Sequence, residues 1–429
     1  MLTTKTHRDQ ERRQSSTRRR QRSKPAGFDF CLFTSDFPVC FLPPACFVIC
    51  VFSVLSFAQQ PKPYAAINRD AVSYNGPGRD AAHDLAGPEI RLGLLAPLRG
   101  PRQAEGEALR RAAEMAIEEE NAASLPGRHH LALVTRDESG PWGQASNEIV
   151  RLVFDDQAVA LITSAEGGAA HLAEQVGNKV GVPILTLSTD TTTTEINLPW
   201  IFRLGPTDAV QAQAFARDIY GPRKLQRVVL LAEDDHDGRV GGEEFEKAAR
   251  EMNAPAPTRI TVVPEKPLPD TWQEDLRGAQ AVVIWADATT ASRLAGPVRG
   301  ELPSVSLYLC RKAAQGDWIG GDTTRHPYST RSSAPPGLWI AVVSEGQTAN
   351  RASFEQRYRQ RYGTEASIGA AQAYDAVRVL ATSLRQSGTN RARLRDALAG
   401  VSDFPGASGI ISFDHAGNDL TRTTLVRLD

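Results

Sequence analysis

The sequence predicts an α/β protein with doubly wound parallel sheets, and two observations support this fold class. Residues 158–197 read as an apolar run, a helical pattern, a second apolar run and a polar turn, which together make a βαβ unit. Apolar runs without alternation are typical of strands buried on both faces of a parallel sheet. Similar strands and helices then alternate from residue 90 to residue 429, with no repeat of solenoid period.

The elements follow from local patterns. In the βαβ unit, apolar residues recur three or four positions apart on one helix face, at Ala169, Leu172, Ala173 and Val176. Buried strands are expected at 90–97, 129–135, 227–232, 259–263, 281–286, 305–310, 338–344 and 424–428. Helices are expected at 108–121, 147–154, 210–219, 243–252, 272–278, 354–362 and 370–386. The segments 394–398 and 409–414 follow before the last strand. The length of 429 residues favours two sheets over one.

Charge is unevenly distributed along the chain. The net charge is −1, but residues 1–58 carry nine basic and four acidic side chains, so the remainder is mildly acidic. An acidic body offers no broad basic face, and we therefore expect no nucleic-acid partner.

The N-terminal 58 residues read as an export signal. An Arg-rich stretch precedes the apolar run ACFVICVFSVLSFA, which is too short for an ordinary membrane span and ends in small residues, Ser56 and Ala58. The alternatives are an uncleaved membrane anchor and a basic nucleic-acid arm. Residues 59–89 contain many Pro and Gly residues and are expected to form a linker or extended arm. We expect a periplasmic or extracytoplasmic location after export.

Cysteine usage agrees with this interpretation. Four cysteines fall in the signal segment, at Cys31, Cys40, Cys46 and Cys50. Cys310 remains alone, so the mature chain is expected to depend on its core and not on disulfides.

Two polar turns are candidate ligand sites, because ligands of open parallel sheets bind beyond the carboxyl ends of the strands. They span residues 163–168 and 188–197. The second contains Thr192 and Glu195 at capping-box spacing, so a purely structural role in starting a helix is the alternative.

A run of acids follows the strand at 227–232. Glu233, Asp235, Asp237 and Glu244, with Gly238, match the spacing of a calcium-binding loop. The run follows a strand and not a helix, and a solvated acidic turn is the alternative that we prefer. We therefore expect no metal and no cofactor.

Catalytic signatures are missing from the sequence. It contains no HExxH, CxxC, GxSxG, P-loop or GxGxxG motif. A hydrolase or amidase that uses the same cleft would need a nucleophile and a base within reach. We therefore expect a protein that is not an enzyme.

Seven segments in order resemble the type I periplasmic binding proteins of ABC transporters, in particular the branched-chain amino-acid and amide receptors. They read IRLGLLAP, GVPILTLSTDTTTTEI, IFRLGPTDAVQAQAFA, RVVLLAEDDHDG, FEQRYRQRYG, AAQAYDAVRVLATSL and GIISFDHAGN. The resemblance implies two lobes joined by three crossovers, with residues 90–204 and 347–401 in the first and 205–346 and 402–429 in the second. It also implies a small-molecule ligand held between the lobes and an ABC permease as partner. A ligand sensor or cell-envelope regulator on the same fold is the alternative.

The resemblance also maps a binding site. In the first lobe it comprises Ser164, Gly167, Gly168, Asp190, Thr191 and Thr192. In the second lobe it comprises Asp237, Asp287 and Lys312. The family's two tyrosines correspond to Asp237 and the region of Asp287, and its amine-binding acid corresponds to Lys312. These departures make a standard α-amino acid less expected than an amino-acid-like molecule, an amide or a small organic anion.

Overall fold

The computed structural model describes residues 89–123, 129–140, 144–195, 198–315, 338–343, 349–420 and 423–428. All of them belong to one compact unit of the chain. The predicted signal segment and nearly all of the predicted linker lie outside the described residues. Among those described, no helix is both long and apolar enough to cross a membrane.

The first lobe is built on a five-stranded parallel sheet with the order β2-β1-β3-β4-β5. Its strands are β1 (Glu89–Ala96), β2 (His130–Asp137), β3 (Ala160–Thr163), β4 (Ile184–Thr186) and β5 (Ile201–Arg203). Strands β3 and β4 are buried along their whole length. Because helices cover both faces of the sheet, these strands carry apolar residues without alternation.

Helices pack on both faces of this sheet. They are α1 (Gln103–Ala122), α2 (Gln144–Phe154), α3 (Gly167–Val180), the short α4 (Thr192–Glu195), and α9 (Ala349–Tyr362), α10 (Ile368–Ser387) and α11 (Arg391–Ala399). Alternate strand residues enter different cores, as the pleat requires. Leu94 and Ile162 pack with α1 and α10, whereas Leu95 and Leu161 pack with α2 and α3.

The second lobe has a six-stranded sheet with the order β13-β10-β9-β8-β6-β7. Its strands are β6 (Val228–Glu233), β7 (Thr258–Val262), β8 (Ala281–Trp285), β9 (Ser306–Leu309), β10 (Leu338–Val343) and β13 (Thr423–Leu428). Only β13 runs antiparallel to its neighbour. The helices between these strands are α5 (Asp208–Tyr220), α6 (His236–Glu251), α7 (Trp272–Leu276) and α8 (Ala288–Glu301). The sequence patterns do not predict α8, because its segment is rich in small residues and contains Gly296 and Pro297.

The chain passes three times between the sheets, after β5, after β10 and before β13. From the sequence, residues 402–429 are expected in the second lobe. The structure places Ala407, Ile411 and Phe413 in the core of the first lobe. Asp375 of α10 holds this segment there, accepting hydrogen bonds from the Ala407 and Ser408 amides at 2.7 and 2.6 Å. The second sheet is rejoined only at β13, which follows the short strands β11 (Phe404–Pro405) and β12 (Ile410–Ile411).

Candidate functional site

The carboxyl ends of the two sheets face one cleft. In each sheet, strand order reverses at one point, between β1 and β3 in the first and between β6 and β8 in the second. Such switch points are where ligands bind in open α/β sheets. A cavity of about 600 Å³ lies there, and its wall includes Arg102, Glu166 and Leu172 from the first lobe and His236, Arg239 and Asp287 from the second.

The N-terminus of α3 meets a carboxylate from the other lobe. The Gly167 amide donates a hydrogen bond to Asp237 Oδ1 at 3.0 Å, where the helix dipole also favours negative charge. Asp237 lies in the first turn of α6. A Cβ atom on Gly167 would lie 2.3 Å from that same oxygen, so glycine at this position permits the contact. Gly168 has room for a side chain, since its nearest neighbour would be Glu166 Oε1 at 3.9 Å.

Lys312 joins the two lobes at this point. Its buried ammonium contacts the Asp237 carboxylate and lies 3.2 Å from Glu166 Oε2 of the first lobe. Burial alone would lower the pKa of Lys312, but the carboxylates of Asp237 and Glu166 outweigh it and raise that pKa well above its ordinary value. Lys312 therefore stays protonated and gives the cleft a fixed positive charge.

Arg102 adds a second cation beside Glu166. It ends the 3₁₀ turn Gly100–Arg102 that follows β1, and its guanidinium lies 2.5 Å from Glu166 Oε2 and 2.9 Å from Glu105 Oε1. Burial would raise the pKa of Glu166, yet Lys312 and Arg102 together lower it to about 2. Glu166 is therefore ionised, and charged groups of both signs border the cavity.

Two histidines converge on Asp190. Asp190 Oδ2 lies 3.1 Å from His171 Nε2 and 2.7 Å from His236 Nε2. Its other oxygen accepts the amide and hydroxyl of Thr192 at 2.9 and 2.7 Å. Burial would raise the pKa of Asp190, but the hydrogen bonds from His171 and His236 hold it well below its ordinary value. This cluster also spans the two lobes, because His236 is the first residue of α6.

The hydroxyl groups of Thr191 and Thr192 contact other groups of the protein. Thr191 Oγ1 accepts from the Ala209 amide at 2.9 Å, and Thr192 Oγ1 lies 2.8 Å from His171 Nε2. Ser164 is fully buried, and its hydroxyl donates to Glu138 Oε1 at 2.5 Å. These three predicted site residues therefore shape the turns and orient neighbouring groups.

Asp287 caps a helix at the cavity wall. Its side chain accepts the Thr290 amide at 2.7 Å at the start of α8. Glu233 supports the same turn, accepting the Asp287 amide at 2.7 Å and the Thr290 hydroxyl at 2.9 Å. Burial raises the pKa of Glu233 to about 7.

The calcium-loop spacing does not form a calcium site. Helix α6 begins at His236, so most of the proposed loop is helical, whereas calcium loops are irregular and direct their oxygens inward. Asp235 caps this helix by accepting the Gly238 amide at 2.6 Å. Glu244 lies further along it, 3.3 Å from Lys247. Glu233 and Glu244 thus have separate structural partners, whereas Asp235 and Asp237 both lie beside Lys312.

Residues 89–291 match the sequence profile of a family described as "Periplasmic binding protein". The predicted resemblance to the periplasmic binding proteins is confirmed. An amino acid binding protein of Pseudomonas aeruginosa is 28% identical over 160 residues, which are 37% of this chain and 42% of that protein. The chain thus matches about two fifths of the length of this curated relative.

Solved structures agree with the periplasmic binding protein fold. The branched-chain amino acid transporter substrate binding protein LivJ from Streptococcus pneumoniae, in complex with isoleucine, superposes with a TM-score of 0.68 at 20% identity, covering 80% of this chain and 96% of its own. A solute binding protein of an ABC transporter from R. palustris, in complex with benzoate, gives 0.69 at 18%, covering 80% and 93%. The two-lobed α/β fold predicted from the sequence is therefore confirmed.

The structure brings together seven of the predicted site residues at or beside one cleft, namely Gly167, Gly168, Asp190, Thr192, Asp237, Asp287 and Lys312. The sequence patterns do not single out Arg102, Glu166, His171 or His236, although Glu166 lies within the predicted ligand turn 163–168. Two signals point to them: Arg102, Glu166 and His236 follow β1, β3 and β6, whose carboxyl ends form the switch points. His171 lies in the first turns of α3.

Proposed function

We propose that the chain captures a small polar solute in the cleft between its lobes and delivers it to an ABC permease. The observation that carries this proposal is the pairing of the α3 N-terminus with a carboxylate and a lysine. Gly167 and Lys312 together hold the carboxylate of Asp237, and a solute carboxylate has the same chemistry. The proposed solute is therefore a small carboxylate, either an organic anion or an amino-acid-like molecule.

The cavity wall supports a solute with an apolar body. Ala145, Ala169 and Leu172 line the cavity together with Arg102 and Glu166. Isoleucine and benzoate, named in the LivJ and R. palustris structures, are both small carboxylates with an apolar body. An amine on the solute would have Asp287 or a displaced Asp237 as partner.

Binding would work through lobe closure. A solute that contacts both lobes binds the closed arrangement better than the open one, so it increases the population of the closed form. The solute must displace Asp237 from the Gly167 amide, so part of its binding free energy offsets the loss of that contact. A permease would then recognise the closed form. Export through residues 1–58 and a periplasmic location belong to the same proposal.

Thermal unfolding of the full chain tests this proposal. The panel comprises benzoate, short dicarboxylates, branched-chain amino acids and their amides. A true ligand at one hundred times its Kd adds about 2.7 kcal/mol to the free energy of unfolding. We expect a carboxylate in the panel to stabilise the protein and the corresponding amide to have no such effect. A panel without any stabilising solute would contradict the proposal.

A ligand sensor on the same fold is the second candidate. The pairs Lys312–Glu166 and His236–Asp190 join the two lobes directly, and they give the closed form stability of its own. A closed form that is stable without ligand suits a sensor whose partner protein binds that closed form. Affinity capture that yields a signalling protein and no permease subunit would favour the sensor.

A further inference from the structure

We propose that His171, Asp190 and His236 form a binding site for a divalent transition-metal ion, with Zn²⁺ as the expected occupant. One nitrogen of each imidazole and one carboxylate oxygen lie within 4.8 Å of one another. Zinc bonds to nitrogen and oxygen of about 2.0–2.2 Å place neighbouring tetrahedral ligands about 3.3 Å apart. The observed separations of 3.1 and 2.7 Å from Asp190 Oδ2 need only a small adjustment to reach that value.

The surrounding contacts orient these ligands for an ion. His171 Nδ1 lies 3.2 Å from Glu174 Oε2, so a carboxylate fixes the ring on the side away from the cluster. Glu174 is buried, and its Oε1 has no hydrogen-bond partner among the described residues. Thr192 holds Oδ1 of Asp190. Oδ2 is thereby left facing the two imidazoles.

The donor set selects the class of metal. Two imidazoles and one carboxylate suit zinc and neighbouring transition metals, whereas calcium and magnesium prefer oxygen ligands alone. Three protein ligands leave a fourth tetrahedral position open. His171 and His236 are both partly exposed, and His236 lines the 600 Å³ cavity. The open position can therefore take water or a carboxylate from a solute.

The site also links the two lobes. His171 and Asp190 belong to the first lobe and His236 to the second. An ion bound to all three stabilises the closed arrangement over any arrangement that separates His236 from Asp190. This site does not depend on the solute proposal, since the metal alone occupies it.

A second acidic group lies nearby but is not a metal site. Glu166, Asp235 and Asp237 also converge, yet the ammonium of Lys312 contacts Glu166 and Asp237 and lies 3.6 Å from Asp235. A positively charged group thus already neutralises this cluster. In the histidine cluster, the Asp190 carboxylate contacts the two imidazoles and Thr192, whereas the Arg203 guanidinium contacts the Asp190 backbone carbonyl.

The test uses the full-length protein, freed of metal by a chelator, and ZnCl₂ alone. Zinc affinity is measured by competition with a chromophoric chelator for the wild type, His171→Gln and His236→Gln. Glutamine keeps a polar side chain but is a poor zinc ligand. Each variant should lose at least tenfold in affinity for one equivalent of zinc. His415→Gln replaces an exposed histidine that is not a member of the cluster and should bind as the wild type does.

Cobalt provides a measurement that needs no variant. Co²⁺ in the wild type should give visible d–d bands of a tetrahedral nitrogen and oxygen site. Bands with thiolate-to-cobalt charge transfer would instead indicate the cysteines at 31, 40, 46 and 50. Zinc binding that both His→Gln variants retain, or cobalt spectra with thiolate bands only, would overturn the proposal. Failure of the solute panel would leave these outcomes unchanged.

Discussion

The carboxyl ends of the two sheets face the cleft, and these two edges of the cleft, the first from the first lobe and the second from the second lobe, are built differently. At the first edge, the fully buried side chain of Arg203 stabilises the turn after β4. Its guanidinium donates to the Asp190 carbonyl at 2.7 Å and to the Thr193 hydroxyl at 2.6 Å. At the second edge, Asp237 and Lys312 extend across the cleft to the first lobe. The first edge is thus held by buried contacts within its own lobe, whereas the second edge places charged side chains against the other lobe.

The largest effect is expected at the first edge. Arg203→Met removes a buried cation whose hydrogen bonds satisfy buried carbonyls and hydroxyls of one turn. We expect a loss of about 3–5 kcal/mol in the free energy of unfolding, measured by urea denaturation. Arg217→Met at an exposed position is the matched control and should change stability by about 0.5 kcal/mol or less. Equal losses in both variants would refute the anchoring role.

The next effect is expected at the second edge. Lys312→Met leaves the buried Asp237 carboxylate without its cation, which should cost about 3 kcal/mol. Lys312→Met combined with Asp237→Asn removes both charges and should recover part of this loss. Urea denaturation of the four proteins in the cycle gives the coupling. Strictly additive losses would mean that Lys312 does not stabilise the Asp237 carboxylate.

A smaller effect concerns pH. Burial raises the pKa of Glu138 to about 8, although Arg102 opposes the shift. A group whose pKa is raised in the folded state binds more protons there, so stability falls as pH rises between its unfolded and folded pKa values. The contribution of Glu138 should therefore decline from about pH 5 to pH 8.

Glu138→Gln removes this titration. The variant should show a flatter profile of unfolding free energy over the same range, measured by urea denaturation at intervals of pH. If the wild type and the variant show parallel profiles, Glu138 does not titrate in this range.

The smallest effect separates two adjacent glycines. Gly167→Ser places a Cβ against Asp237, and rotation of that side chain limits the cost to about 1 kcal/mol. The variant should also favour a more open form with a larger radius of gyration in small-angle scattering. Gly168→Ser meets no close neighbour and should match the wild type. Identical scattering curves for the two variants would show that a side chain at residue 167 does not affect lobe closure.

The sequence predicts the fold well because the signal is repeated. Apolar runs without alternation mark β3, β4, β6 and β8, and each of them is buried throughout. The segment of α8 carries the weaker signal of small residues. The path of residues 404–413 depends on Asp375, a contact that no local pattern reveals.

The site is predicted only in part. The turns after strands contain Gly167 and Asp190, whose position alone is informative. The family resemblance maps Asp237. Arg102 and Glu166 are not singled out because their role depends on long side chains that meet across the cleft. The acidic spacing after β6 suggests a calcium loop, but spacing does not reveal that a helix begins at His236.

One measurement tests solute binding most directly. Isothermal titration of the best stabilising carboxylate is carried out on the wild type and on Arg102→Gln, which removes the guanidinium that borders the cavity beside Glu166. One-to-one binding to the wild type, weakened at least tenfold in the variant, is the predicted result. Equal affinities for both proteins, or no heat with any small carboxylate, would contradict a solute site in this cleft.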